Sequence, residues 1–292
     1  MTLKKIVFIL NPISGTGKQK KAIPIIEKYL DRSKYEYKIL KTEYAGHASE
    51  IAQQAVQDKA DIVVAIGGDG TINESFQALV NTELCFGIVP CGSGNGMARH
   101  LKIPRDLKKA IDLINKGNTR KIDSCSVNDR PFLSIAGVGF DAHIAKLFDE
   151  AKFRGLFSYI HQILKSYFSF KEQDYQLTIS NNEIKRKALL ISFANSDQFG
   201  NNALIAPQAN MSDGMLEVCI VRKIPIRSMF KLAYQVFTRK IQNSDYYHSM
   251  RASDFTLTHQ SDLIVNIDGE PVEMGKKLEI KTYHQSIKMI VP

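Results

Sequence analysis

Residues 61–66 (DIVVAI) run almost wholly apolar and β-branched, then break directly into Gly67-Gly68-Asp69-Gly70-Thr71. An apolar run without alternation reads as a strand buried on both faces, and such strands belong to parallel sheets covered by helices on either side. The glycine cluster therefore falls where open α/β sheets bind ligands, at the carboxyl ends of their strands. Consecutive glycines let backbone N–H groups turn toward a phosphate, and the following helix N-terminus adds partial positive charge. A carboxylate at Asp69 would repel that phosphate unless a divalent cation bridges them, so the motif points to a nucleotide carried with Mg²⁺.

The flanking sequence repeats the arrangement. Residues 6–10 form an apolar run closed by Asn11-Pro12, and residues 85–89 form another that opens into Gly92-Ser93-Gly94-Asn95-Gly96. Residues 35–41 alternate like a strand, while 19–30, 50–57, 73–80 and 105–115 carry helical spacing, the last with Pro104 just inside its start and Gly117 at its end. Strands alternating with short helices predict an open, doubly wound, mostly parallel sheet. Three polar or glycine-rich turns, after the runs at 6–10, 61–66 and 85–89, would then line one sheet edge and define a nucleotide cleft.

Beyond residue 120 the rhythm changes to strand-like segments at 132–136, 176–180, 187–193, 216–221, 255–259, 263–267 and 277–282, with Asn181-Asn182 as a hairpin signal. This predicts a second, largely antiparallel β-sandwich domain. The expected division is 1–122 and 123–292, with the extreme C-terminus packing back on the first domain; 292 residues suit two domains. Two helical patterns interrupt the strands, 153–168 and 226–241. In the second, Met229, Phe230, Ala233, Val236, Phe237 and Ile241 share a face, and no acid occurs between Val218 and Ser244. Basic amphipathic helices suit docking on anionic membranes, while the plainer alternative packs their apolar faces on the β domain.

Composition narrows the partners. Lys and Arg exceed Asp and Glu by 39 to 30, a formal +9, which fits nucleic acid, phosphorylated metabolites or anionic lipid. Four scattered cysteines without a C-x-x-C pair exclude a disulfide framework, and the histidines lack zinc spacing. The first apolar run is too short for a signal peptide or a membrane span, so a cytoplasmic protein is expected. No helix-turn-helix, RNP strand or zinc module supports nucleic-acid binding.

Two further motifs carry acids. Asp268-Gly269-Glu270 ends the strand-like run 263–267; it suits a general base with an orienting partner, and equally an Asp-Gly hairpin turn. The loop 207–215 (PQANMSDGM) is rich in oxygen ligands, so Asp213 with two carbonyls suits a hard cation or a solvated turn. Gly15-Thr16-Gly17-Lys18 departs from a P-loop at Pro12 and Gln19, and Gly137-x-Gly139-x-x-Ala142 lacks the acid of a dinucleotide fingerprint; both read as turns.

Together, the Asn11-Pro12 turn, the GGDGT motif, the second glycine–Asn loop and the terminal DGE resemble the bacterial diacylglycerol kinase and lipid kinase family, related to sphingosine kinases. The likeness spans essentially the whole chain. It implies an ATP-binding first domain and a β-sandwich that presents a lipid. By match, Asn11, Thr42, Gly67, Gly68, Asp69, Gly70, Thr71, Ile72, Asn73 and Ser93 would line the nucleotide. Asp69 would join a Mg²⁺–water network with Asp123, while Glu270, paired with Asp268, would accept the proton of the lipid hydroxyl. Asp213, with Asn210 and Met215, would match a structural metal site. The chain departs from the family's GTxND loop at Gly96, which removes a carboxylate from the metal network. The resemblance implies a peripheral enzyme on the inner face of the membrane, with a homodimer left open. A kinase of a soluble acceptor such as NAD, or a nucleotide-binding regulator without turnover, are the rivals.

Overall fold

The computed structural model describes residues 2–14, 17–92, 94–150, 163, 165–200 and 202–292. The chain divides into two compact units, Met1–Ser124 with Tyr283–Pro292, and Cys125–Thr282.

In the first unit, β1 (Lys4–Leu10), β2 (Tyr35–Lys41), β3 (Ile62–Gly67) and β4 (Cys85–Pro90) form a parallel sheet in the order β2-β1-β3-β4. β3 and β4 are buried at every position, as their unbroken apolar runs require. Helices α1 (Ala22–Tyr29), α2 (His47–Gln57), α3 (Asp69–Gln77), α4 (Gly96–His100) and α5 (Leu107–Lys116) connect the strands, α1 packing with α5 and α2 with α3. Two helix starts differ from expectation. α3 begins at Asp69 rather than 73, so the glycine motif itself enters the helix. α5 begins after Asp106, whose carboxylate accepts the Lys109 N–H at 3.0 Å, leaving Pro104 outside.

The strand β5 (Thr119–Val127) leads into the second unit. There β6 (Arg130–Phe132), β7 (Ile135–Gly139), β8 (Gln173–Ile179), β9 (Asn182–Ala188), β10 (Leu190–Ala194), β13 (Leu216–Val221), β14 (Tyr247–Ala252), β15 (Phe255–Thr258), β16 (Leu263–Ile267), β17 (Glu270–Met274) and the first part of β18 (Lys277–Ile290) build an antiparallel sandwich, while β11 (Gln198–Gly200) and β12 (Ala203–Leu204) pair only with each other. One sheet runs β14-β13-β10-β7-β16-β17, the other β18-β15-β8-β9. Phe193, Val218 and Val265 of the first meet Tyr175, Leu257 and Leu278 of the second in one buried core. The last residues of β18 return to the first unit, where Lys288 and Met289 pair parallel with Cys85 and Phe86. Helices α6 (Phe140–Glu150) and α7 (Ile226–Phe237) belong to the second unit.

Several sequence expectations change here. The run 132–136 is broken at Leu133-Ser134, whose N–H groups go to Asp268 instead of a strand partner. The run 187–193 is likewise two strands, β9 and β10. Gly137 and Gly139 are not a turn but the end of β7 leading into α6. A Cβ on Gly137 would lie 2.8 Å from the Ile191 carbonyl, and one on Gly139 (φ +92°) 2.5 Å from that of Leu189, so glycine lets β7 approach β10. The expected helix 153–168 lies almost wholly outside the described residues.

The expected helix 226–241 stops at Phe237, and its faces are not those the spacing indicated. Met229, Leu232 and Val236 pack inward, whereas Phe230 and Phe237 are exposed. Among the described residues no helix is long and apolar enough to cross a membrane.

Candidate functional site

Each unit carries one group of candidate residues. In the first unit they follow strand ends across the carboxyl edge of the parallel sheet. Thr42 follows β2 and donates its N–H to the Leu10 carbonyl at 2.9 Å; Asn11 follows β1 and donates its N–H to Ile66 at 3.1 Å. Beyond β3, the Gly67 carbonyl accepts the N–H groups of Cys91 and Gly92 at 2.7 and 3.2 Å. This joins the two glycine loops backbone to backbone.

Their contact explains the glycines. A Cβ on Gly92 would lie 2.6 Å from the Gly68 Cα, and one on Gly67 would lie 2.6 Å from the Thr71 Cβ. Asp69, in the first turn of α3, reaches across the junction: its carboxylate oxygens accept the Asn95 N–H at 2.8 Å and the Gly96 N–H at 2.9 Å. It thereby caps the start of α4, where an acceptor is favoured. Asn95, fully buried at φ +51°, folds its side-chain amide back on Gly92, accepting that residue's N–H and donating to its carbonyl. Asn11 donates to the Thr71 hydroxyl at 3.2 Å and accepts the Ile13 N–H at 3.1 Å. Ile72 and Asn73 are buried, and neither atom of the Asn73 side-chain amide has a hydrogen-bond partner. Gly70 has open space where its Cβ would stand. Ser93 lies outside the described residues.

Asp123, fully buried, accepts from His284 Nδ1 at 2.9 Å and from the Gln285 N–H at 2.7 Å. Neighbouring Ser124 bonds Ser286 twice, so the middle of β5 at Asp123 and Ser124 is held by residues 284–286.

In the second unit, Asp268-Gly269 is indeed a hairpin turn between β16 and β17, with φ +49° and +99° as a two-residue primed turn requires. It is also more than a turn. The Asp268 carboxylate accepts the N–H groups of Leu133, Ser134 and Ile135 at 2.7, 2.9 and 2.9 Å. Glu270, the first residue of β17, is exposed. The two acids are thus neighbours with different surroundings: one fastens the turn to the 133–135 segment, the other faces solvent.

Asp141, in the first turn of α6, has no counterpart in the motif reading. Its Oδ1 is buried without a partner, and Asn266 Nδ2 approaches its Oδ2 at 3.5 Å. Burial pushes its carboxyl up to about 7. Asn266 in turn accepts the Gly269 N–H, linking Asp141 to the hairpin. It stands two residues after the strand-ending Gly139, within the Gly137–Ala142 segment read as a turn, and nothing in that spacing marks it as buried.

The loop 207–215 is tied by contacts among its own groups and to Arg251. Asp213 accepts the Met215 N–H at 3.1 Å and pairs with the Arg251 guanidinium, which also lies 3.6 Å from buried Glu217. Asn210 accepts the Ser212 N–H. Among the described residues, no three His, Cys, Asp or Glu side chains gather as a metal cage.

The pairing of a parallel sheet that carries two interlocked glycine loops with an antiparallel sandwich is that of a kinase family. Residues 5–127 match the diacylglycerol kinase catalytic domain, and residues 134–284 match the YegS C-terminal NAD kinase beta sandwich-like domain. The chain belongs to the bacterial diacylglycerol kinase and lipid kinase family. It is 26% identical to a diacylglycerol kinase of Bacillus subtilis (strain 168) over 276 residues, covering 92% of this chain and 90% of that protein. A diacylglycerol kinase of Staphylococcus saprophyticus is 25% identical, covering 91% and 89%. The crystal structure of a diacylglycerol kinase from Bacillus anthracis str. Sterne superposes with a TM-score of 0.76 at 19% identity, covering 100% of this chain and 98% of that one, which is a likeness of fold.

Proposed function

We propose that this protein transfers the γ-phosphoryl group of ATP to the hydroxyl of a membrane lipid such as diacylglycerol. The observation that carries this is the pair of glycine loops joined through Gly67, Gly92 and Asp69 at the carboxyl edge of the sheet, with the buried Asn73 amide of the following helix left without a partner. Asn11, Thr42, Gly67 through Asn73 and Ser93 are assigned to the nucleotide.

Mg²⁺ would offset phosphate charge and is usually held by one or two carboxylates together with the phosphates, so no all-protein cage is needed. Asp69 fits such a role, because each carboxylate oxygen that accepts one N–H keeps further acceptor capacity. Asp123 is assigned to the same network. A cation at Asp213 forms no part of the proposal, since Arg251 already brings positive charge there.

In the second unit, Glu270 is assigned as the base. It takes the hydroxyl proton as the lipid oxygen bonds to the γ-phosphorus and the bond from that phosphorus to the ADP oxygen breaks. Such a transition state is loose, so positioning carries most of the catalysis. Asp268 is the positioning residue, its three backbone bonds holding the turn from which Glu270 projects.

The test is ³²P transfer from ATP·Mg²⁺ into the organic-extractable fraction of mixed liposomes, with NAD as a parallel acceptor. Labelled lipid is expected. Label on NAD would move the protein to kinases of soluble acceptors.

A further inference from the structure

Helix α7 presents four large apolar side chains to solvent. Ile226, Phe230, Tyr234 and Phe237 are 61%, 88%, 61% and 59% exposed, and their spacing of four, four and three places them on one stripe at 3.6 residues per turn. The opposite face is satisfied: Met229 packs beside Phe140 and Tyr167, while Leu232 and Val236 pack beside Ile205 and Ile241. The stripe is therefore surplus to the domain's core.

Its surroundings specify the partner. Arg227 and Lys231, both exposed, lie one step round the helix from Phe230 and Tyr234, and Lys240 follows the helix end, while Arg222 before it lies 4.0 Å from Glu172. No acid occurs between Val218 and Ser244. A second copy would bring the same cations against these, so self-association is opposed by charge, whereas an anionic bilayer complements both parts of the surface. Phe168, 64% exposed, belongs to the same region, because Lys223 donates to the carbonyl of Phe170 and Ile224 donates its N–H to Tyr167.

We propose that α7 is a membrane-insertion helix, with Ile226, Phe230, Tyr234 and Phe237 entering the boundary between headgroups and acyl chains while Arg227 and Lys231 bind lipid phosphates. The proposal deepens the lipid-kinase reading, on which its purpose rests. Amphipathic helices of this composition lie in the interface with the apolar face about 5–10 Å deep, and anionic lipid strengthens the binding.

The test is co-sedimentation of the full chain with vesicles of phosphatidylcholine alone or mixed with phosphatidylglycerol. Phe230→Ala with Phe237→Ala should weaken binding by roughly tenfold per side chain. Arg227→Gln with Lys231→Gln should weaken it by about fivefold per charge, only on anionic vesicles and less at high salt. Both variants should keep the wild-type melting temperature, because the altered side chains are exposed. They should also keep activity on a dispersed short-chain diacylglycerol.

Unchanged vesicle binding in the double Phe variant overturns the proposal. So does a wild-type dimer, seen by sedimentation equilibrium, that the variant dissolves, since the stripe would then be a self-interface. If vesicle binding depends on the stripe while no lipid is ever phosphorylated, the helix assignment stands and the lipid-kinase reading fails.

Discussion

Asp69 and Asp268 perform the same physical task in different units, and their settings differ in an instructive way. Each carboxylate ties a distant stretch of backbone to its own turn: Asp69 takes two N–H groups from 95–96, Asp268 three from 133–135. Asp69 does so at a helix start among glycines, where the backbones of the two loops approach closely. Asp268 does so in a hairpin at positive φ, and the residue two places on, Glu270, faces solvent. One acid joins two glycine loops; the other fastens the turn that carries its neighbour.

The sharpest way to break the comparison is to separate platform from reactive group. Glu270→Gln should lower turnover by about 10²–10⁴ while urea unfolding changes by less than about 0.5 kcal/mol. Normal turnover in that variant would remove Glu270 from the mechanism. Asp268→Ala should do the reverse first, lowering stability by about 3 kcal/mol because three N–H groups lose a charged acceptor. Its activity should fall with the loss of the turn; full stability would show that water replaces the carboxylate without cost.

Asp141 sharpens the same contrast through pH. Its folded carboxyl titrates at about 7 against an ordinary 3.8, so the native state holds a proton that the unfolded chain has released. Stability from this group is therefore highest below pH 4 and declines as pH rises toward 7, by on the order of 3 kcal/mol between pH 4.5 and 7. Asp141→Asn should flatten that part of the stability profile, measured by denaturant melts across the range; an unchanged slope would assign the dependence elsewhere.

The smallest effects test the glycine loops. Gly92→Ala meets the Gly68 backbone and should cost about 1–2 kcal/mol together with nucleotide affinity. Gly70→Ala meets nothing and lies in a helix, so stability should hold or rise by about 0.5 kcal/mol, leaving nucleotide affinity as the readout. Equal stability losses in the two variants would refute the steric account.

What could be read beforehand follows from whether the determining force is local. The buried strands at 62–67 and 85–90 were legible because being covered on two faces leaves an unbroken apolar run. The positive-φ turn at Asp268-Gly269 was legible as a hairpin because those residue types tolerate it. The break in the run 132–136 was not, because its cause is a carboxylate more than 130 residues away. The orientation of α7 was also hidden: both of its faces carry apolar residues, and periodicity cannot say which one the sandwich covers. Asp141 escaped because nothing local distinguishes a buried acid at a helix start from an exposed helix cap.

The last ten residues carry a consequence for how the chain is made. Tyr283–Pro292 belong to the first unit, and His284, Gln285 and Ser286 supply the partners of Asp123 and Ser124. On a ribosome adding roughly 5–20 residues per second, the first unit waits through some 160 intervening residues, about 8–30 s, before its own closing segment emerges. During that interval it lacks the strand that pairs with Cys85 and Phe86, so its sheet presents an open edge to chaperones or to other nascent chains. The order of synthesis and the order of completion are therefore inverted: the unit translated first is finished last.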